Sequence, residues 1–596
     1  MRFIVAFTLL MILGACSSST RTVNGNENYE PCVSDVCGTE PSYCSSPTIT
    51  DPVTISGDAY YVKRLPNGTG LGGPSGNLPI RFAEVAIVNG SGSVLGCGAT
   101  DANGAFAINI QRVSASVYAQ VRSRANTTGK LVASVLDSPL KFNYYKVTTD
   151  TPVTGNANRT LADTIAPHDG DIEGGAFNIL DRLYEANEFL RTETAGCNTV
   201  DASCTPITNT PKVTAFWKPG FNPGTYLGNS ASDTVSFYLS GTSRLYIVGG
   251  VSGNVNSADT DHFDDAVIVH EFGHFLEDIY AGSDSPGGSH NANSVIDPRL
   301  AWSEGWATYF SMSSRASPMY IDTYGNTDGT TGKYFYHNLD TNSPKRDPSS
   351  AGYTVPAGQG IFREFGISRS LLDMTDADAA SPYDSDGTEI PFNEFWAIFA
   401  GSTKFPASST KFRNAGLFFK QHDALAANTD ITTSTANADL QDEFMYDPAA
   451  ADYLAHYATP VASGACTDTA SIKPANNNDK NEDGSFENSN QFSSNDFYHL
   501  THAGGSLNLS LVTKSGTLDL DLYLYKEDYT YGEGSSILAS STNNGTASES
   551  ISFSSLPAGS YMINVMVYTA GLAGTSEATW PTNVYDLFVN SSRVCP

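Results

Sequence analysis

His270 and His274 stand four residues apart with Glu271 between them, in the run Asp264-Asp265-Ala266-Val267-Ile268-Val269-His270-Glu271-Phe272-Gly273-His274-Phe275. On an α-helix, positions i and i+4 project from one face, so both imidazoles can reach one cation while Glu271 points beside it. Paired histidines at this spacing suit zinc. A carboxylate next to a zinc-bound water is placed to act as a general base.

Two histidines leave a catalytic zinc one protein ligand short, so the residues after His274 decide the reading. The metzincin pattern needs Gly at 277 and His at 280, and the chain has Glu277 and Tyr280. A second helix offers a carboxylate instead. In Ala301-Trp302-Ser303-Glu304-Gly305-Trp306-Ala307-Thr308-Tyr309-Phe310, Glu304 keeps the company of four aromatic rings, where an unpaired carboxylate would be costly and a metal removes that cost. The two segments together resemble the gluzincin superfamily, which includes thermolysin and aminopeptidase N. The second closely resembles the N-E-G-F-A-x-Y-F helix that carries the third zinc ligand in the aminopeptidase branch. The resemblance implies a zinc ion held by His270, His274 and Glu304, with Glu271 as general base on a zinc-bound water and peptide bonds as substrate.

The departures from that pattern narrow the expectation. The connection from His274 to Glu304 is longer than in thermolysin or aminopeptidase N, the excess lying in the Gly/Ser-rich stretch Gly282 to Pro298. No G-x-M-E-N sequence, which grips a substrate amino terminus in the aminopeptidases, precedes the metal helix, so an endopeptidase is expected. Gluzincins also use a Tyr or His to stabilise the oxyanion. His290, His337, Tyr353 and Arg363 are candidates here, and the sequence does not choose among them.

Several elements must position these residues. Phe177, Leu180, Leu183, Tyr184 and Leu190 recur at helical spacing from about Gly174. Strand candidates Lys212–Trp217, Thr234–Leu239 and Arg244–Gly250 precede the metal helix; the resemblance to zinc peptidases implies an edge strand there able to pair with an extended peptide, and Arg244–Gly250 is expected to be either that edge or an ordinary paired strand. Gly358–Met374, Phe392–Phe399 and Lys411–Leu425 read as helices forming the other wall of the cleft. Asp376, Asp378, Asp384 and Asp386 share one loop and are a candidate calcium site; Asp479 to Gly484 is a weaker one, because Asn490 stands where an EF-hand-type loop needs an acid.

Two β regions flank this centre. Val53–Gly57, Ala83–Val88, Ala105–Ile110 and Val117–Val121 alternate as short strands. The run Thr100-Asp101-Ala102-Asn103-Gly104-Ala105-Phe106 resembles a hairpin of transthyretin-like and carboxypeptidase-regulatory-like domains. Strands return after Asp496, and Leu518 to Tyr525 with Leu556-Pro557-Ala558-Gly559-Ser560-Tyr561 resemble the D-x-D-L-Y-L and L-P-A-G-x-Y signatures of bacterial pre-peptidase C-terminal domains, which accompany secreted proteases.

Length sets roughly three to five domains. A net charge of -30 with pI near 4.5 leaves no basic surplus for nucleic acid. Arg2 followed by the short apolar run Phe3–Leu13 reads as an export signal, and Leu13-Gly14-Ala15-Cys16 resembles a bacterial lipobox, implying acylation of Cys16 and anchoring at the outer membrane or cell surface. Of the nine cysteines, eight then remain to pair in an oxidising compartment: Cys197 with Cys204, Cys466 with Cys595, and Cys32, Cys37, Cys44 and Cys97 in two further bridges of open connectivity.

The expected architecture is multidomain: an α+β zincin-like peptidase domain flanked by two all-β sandwich domains. Its divisions are a signal peptide at 1–15, a tether at 16–50, a β-sandwich at 51–150, a metallopeptidase domain at 151–460, a linker at 461–490 and a second sandwich at 491–596. A surface adhesin that keeps a peptidase-like shape without catalysis is the competing expectation. Retention of Glu271 argues against it, because a structural zinc needs no general base.

Overall fold

In the computed structural model, the residues described are 39–67, 70–224, 235–287, 290, 296–326, 334–346, 358, 360–375, 389–401, 405, 413–425, 427–431, 459–461, 470–472, 495–526, 537–568 and 582–594. Cys16, the 376–386 loop and the 479–490 segment lie outside them, as do Tyr353, Cys32, Cys37, Cys466 and Cys595. The protein is multidomain and rich in β-sheet, with few helices.

Strand Pro52–Tyr61 buries alternate residues, Val53, Ile55, Ala59 and Tyr61, and pairs antiparallel with Ala105–Gln111. A second sheet, built on Glu84–Asn89 between Val94–Ala99 and Ser116–Arg122, turns Val85, Ile87, Val117, Ala119 and Val121 into the same apolar cluster. Such alternation on two sheets is what a β-sandwich requires. A disulfide joins Cys44 to Cys97, and another joins Cys197 to Cys204 as the spacing suggested.

Strand pairing crosses residue 150 in both directions. Arg159–Thr160 and Thr164–Ala166 add in parallel to Pro52–Tyr61. Conversely, Arg124–Thr127 and Leu131–Leu136 leave the first sandwich and join the central sheet, whose order is Phe237–Leu239, Arg244–Tyr246, Val213–Phe216, Leu131–Leu136, Arg124–Thr127. Ser123 is the bend between the two sheets. Fully buried, it gives its N–H to Tyr145 O and its hydroxyl to Val135 O, so the chain changes sheets without a turn sequence to mark it.

Helices α1 (Glu173–Glu193), α2 (Cys197–Val200), α3 (Asp265–Leu276), α4 (Pro298–Ser314), α5 (Glu364–Asp373), α6 (Phe392–Ala400) and α7 (Ala415–Asp423) surround this sheet. One apolar cluster runs from Ile55 and Tyr61 through Leu180 and Leu183 of α1 to Phe272, Trp306 and Trp396. Among the described residues no helix is long and apolar enough to cross a membrane.

The C-terminal region has its own apolar cluster, with Leu507, Leu509, Leu511, Leu520, Leu522, Leu524, Ile563 and Val565 buried between two five-stranded sheets. Leu520, Leu522 and Leu524 alternate along one strand, as the L-x-L-x-L spacing requires. Phe497, Tyr525 and Met562 instead face the large central cluster, and the Phe497 ring stacks on Phe362 with centroids 6.3 Å apart.

Candidate metal centre

Helix α3 is fixed first at its N-terminus. Asp265 pairs with Lys63 and lies 3.6 Å from Arg182, while Asn178 Nδ2 donates at 3.0 Å to Asp265 Oδ1 and to His262 O. Burial works against ionisation of Asp265, but the Arg182 and Lys63 cations outweigh it and hold the carboxyl well below its ordinary range. An ionised carboxylate also suits the first turn of a helix.

The two motif helices pack unusually close, and glycine makes this possible. A Cβ on Gly273 would lie 2.8 Å from Ala307 Cα, and one on Gly305 would lie 2.6 Å from Ile367 Cγ2 and 2.9 Å from Glu364 O. Gly273 thus lets α3 settle on α4, and Gly305 lets α4 settle on α5. The histidines and Glu304 then face each other across a short gap.

His270 Nε2 and His274 Nε2 are 3.1 Å apart, and Glu304 Oε2 lies 3.2 and 3.1 Å from them respectively. All three residues are buried, at 4%, 2% and 1% exposure. This near-equilateral triangle fits one face of a tetrahedral zinc site, whose nitrogen and oxygen donors at about 2.0–2.1 Å stand about 3.3 Å from one another. The far sides of the rings are also held. His270 Nδ1 is 3.0 Å from Thr308 Oγ1, and His274 Nδ1 is 3.2 Å from Ser303 Oγ, which donates in turn to Glu277 Oε2 at 2.5 Å. The direct Nδ1 to Glu277 separation is 4.0 Å, so the hydroxyl carries the contact. With each Nδ1–H donated outward, the orientation inferred from these contacts directs both Nε2 atoms at the gap.

Burial depresses His270 to about 4, which keeps its imidazole neutral. Burial acts the same way on His274, yet the charge of Glu304 and the pull of Glu277 outweigh it and raise this histidine to about 10. Glu304 is opposed by burial too, but His290 and His274 bring its carboxyl well below the ordinary range. A cation entering this group therefore displaces a proton.

Glu271 is 1% exposed and follows His270 on α3, and its charge contributes to the raised His274. It is not one of the three convergent donors. Of the other histidines and the arginine named from sequence, only His290 is brought to the triad, its Nε2 lying 3.5 Å from Glu304 Oε1 and its Nδ1 2.6 Å from Glu364 Oε2. His337 is engaged by Asn342 Oδ1 at 3.0 Å and packs edge-on to Phe365. Arg363 is fully buried at the start of α5. Sequence reading missed Ser303, Thr308, Glu277 and Glu364. The first three had a helical signal, Thr308 lying four residues after Glu304 and Glu277 three after His274; Glu364 had none.

Strand Arg244–Tyr246 is not an edge. It is flanked by Val213–Phe216 in parallel and Phe237–Leu239 antiparallel, and the latter ends the sheet among the described residues. The two strands are joined by the tight Ser240–Ser243 turn, and sequence order alone does not reveal that the chain doubles back to place the earlier strand outermost. Asp278, just past α3, accepts from Tyr238 Oη at 2.5 Å and from Gly241 N at 2.7 Å, tying this strand to the end of α3.

A second group of possible metal donors, all carboxylates, comprises Asp259, Asp261 and Asp322. Asp259 bridges to Tyr324 through the backbone, and nearby Asp264 accepts from Thr323 N at 2.8 Å. Burial raises Asp261 to about 7.

No protein-family model matches the chain, and no curated protein matches it. Among solved structures, it is similar to the pre-peptidase C-terminal domain of a collagenase from Bacillus anthracis at 13% identity, over 22% of this chain and 96% of that one, with a TM-score of 0.15. A 9R-lipoxygenase from Cyanothece PCC8801 is similar at 15% identity, over 28% of this chain and 27% of that one, with a TM-score of 0.14. Neither likeness is strong enough to bear on fold or function, so the functional reading rests on the site's own geometry.

Proposed function

We propose that the chain is a zinc-dependent endopeptidase, with His270, His274 and Glu304 as metal ligands and Glu271 as general base. The observation that carries this reading is the convergence of two Nε2 atoms and one carboxylate oxygen within 3.1–3.2 Å in a buried gap. A zinc ion held there supplies Lewis acidity toward a scissile carbonyl and activates water. Glu271, one residue from a ligand on the same helix, takes the proton of the attacking water and returns it to the leaving amine. Thr308 and Ser303 hold the imidazoles in orientation. Export and acylation at Cys16 would place this activity at a membrane surface, and the zincin-like centre with its flanking sandwiches belongs to the same proposal.

The test is cleavage of an unfolded protein and a broad peptide library by the zinc-loaded chain, with and without chelator. Glu271→Gln is expected to keep its zinc and lose about 10²–10⁴-fold in rate. Absence of cleavage by the zinc-replete chain on both substrates overturns the reading.

A further inference from the structure

We infer that His290 is a positioning residue for the metal centre: it holds the outer oxygen of Glu304, so that this carboxylate presents one oxygen to the cation. The inference rests on the zinc reading above and adds to it a residue from outside both motif helices.

The two oxygens of Glu304 have different surroundings. Oε2 closes the triangle with the two imidazoles, whereas Oε1 faces His290 Nε2 at 3.5 Å. Neither Oε1 nor His290 Nε2 holds a hydrogen bond to any described residue, each other included, and both atoms are buried. At 3.5 Å the two atoms meet as an ion pair rather than a formed hydrogen bond, and the imidazole is anchored on its other side. His290 Nδ1 lies 2.6 Å from Glu364 Oε2, and the His290 and Glu364 side chains are each 3% exposed. Glu364 is the first residue of α5, and its backbone carbonyl meets Gly305, the residue after Glu304. A chain of contacts thus runs from α5 through His290 to the metal-facing carboxylate of α4.

All three candidate ligands are then restrained from behind: His270 by Thr308, His274 by Ser303, and Glu304 by His290. The last restraint has a chemical consequence. A carboxylate can bind a cation through one oxygen or both, and a partner on the outer oxygen disfavours the two-oxygen mode. One coordination position stays open, as catalysis by a three-ligand site requires. The alternative role for His290 is direct contact with the substrate oxyanion, and the two roles separate experimentally.

The full chain and its His290→Ala, His290→Gln and Glu364→Gln variants would be compared in three ways. Zinc affinity is measured by competition with a chromophoric chelator, the visible spectrum is recorded with cobalt(II) in place of zinc, and kcat and KM are measured at saturating zinc. Far-ultraviolet circular dichroism of the metal-free proteins establishes which variants fold. His290→Ala is expected to lose about 10–100-fold in zinc affinity and to change the cobalt bands. His290→Gln, which keeps an N–H donor, should recover most of the affinity, and Glu364→Gln should fall between. If His290→Ala does not fold, the order wild type, His290→Gln and Glu364→Gln decides. Unchanged affinity and cobalt spectrum in the folded variants overturn the inference, and they do so equally if kcat alone falls, which assigns His290 to the oxyanion. Failure of the wild-type chain to bind one zinc or cobalt ion overturns the proposed function along with this inference.

Discussion

The C-terminal sandwich and the α3–α4 pair both bury polar side chains, and they treat them in opposite ways. In the sandwich, Tyr498 Oη and Tyr585 Oη lie 2.7 Å apart, Tyr585 donates to Asp496 Oδ2 at 2.5 Å, and Asn583 closes on both the N–H and C=O of Leu518 at 3.0 and 2.9 Å. Donors there meet acceptors. Between α3 and α4, two imidazole nitrogens and a carboxylate oxygen turn toward a common gap, while the donors of the same rings point away to Thr308 and Ser303. A satisfied network adds rigidity and no chemistry, whereas two imidazoles and a carboxylate converging on one gap are held together by a proton on His274 that a cation can replace. Burial alone therefore does not mark a site. The direction of the donors does.

The largest effects should separate the two regions completely. Glu304→Ala removes the carboxylate corner of the triangle and is expected to abolish stoichiometric zinc binding, measured by metal analysis after dialysis, while leaving the melting of the C-terminal sandwich unchanged. A shared loss would mean that the centre is a structural support for the whole chain.

Gly273→Ala tests the close approach that brings the donors together. Its Cβ would stand 2.8 Å from Ala307 Cα, so the helices must separate, at a cost of about 1–3 kcal/mol in stability with a parallel loss of zinc affinity. Tyr585→Phe is the counterpart in the sandwich. It strips Asp496 of its donor and should destabilise by about 1–3 kcal/mol by denaturant titration, with peptide cleavage at saturating zinc unaltered.

The most diagnostic effect is the sign of the pH dependence. Burial raises Asp496 to about 7 despite the Tyr585 hydrogen bond. Its folded pKa exceeds the unfolded value of about 3.9, so between about pH 4 and 7 the unfolded chain binds fewer protons and stability falls as pH rises, by at most about 1.4 kcal/mol per unit. Above 7 the slope vanishes, and Asp496→Asn should remove it. Zinc affinity runs the other way. His274 sits at about 10 in the metal-free chain, so each unit of rising pH below that value should strengthen binding by up to about tenfold, measured by chelator competition. Affinity that is flat from pH 6 to 9 would break the contrast.

Much of this was legible in the sequence where the relevant distances lie within one element. His270 and His274 share a face because they are one helical turn apart, and the three leucines of Leu520–Lys526 share a face because a strand alternates. Glu304 was legible through the resemblance of its segment to the gluzincin ligand helix, with aromatic neighbours that require a buried helix. The division at residue 150 was not legible as the structure draws it, because Ser116–Arg122 and Arg124–Thr127 continue a single alternating pattern while belonging to different sheets. Whether Arg244–Tyr246 is an edge or a paired strand was left open for a related reason: alternation says which residues turn inward and nothing of which strand lies outermost.

The sequence by itself determined which side chains are candidate metal donors and that two of them face one way, since helical period and residue type are local properties. Only the tertiary structure decided that α3 and α4 approach across Gly273 closely enough for three donor atoms to meet, that His290 lies between Glu364 and Glu304, and that Phe237–Leu239 is the outermost strand of its sheet among the described residues. Those relations depend on how distant segments pack, and side-chain volume and hydrogen-bond direction enter that packing only once the helices and sheets are in contact.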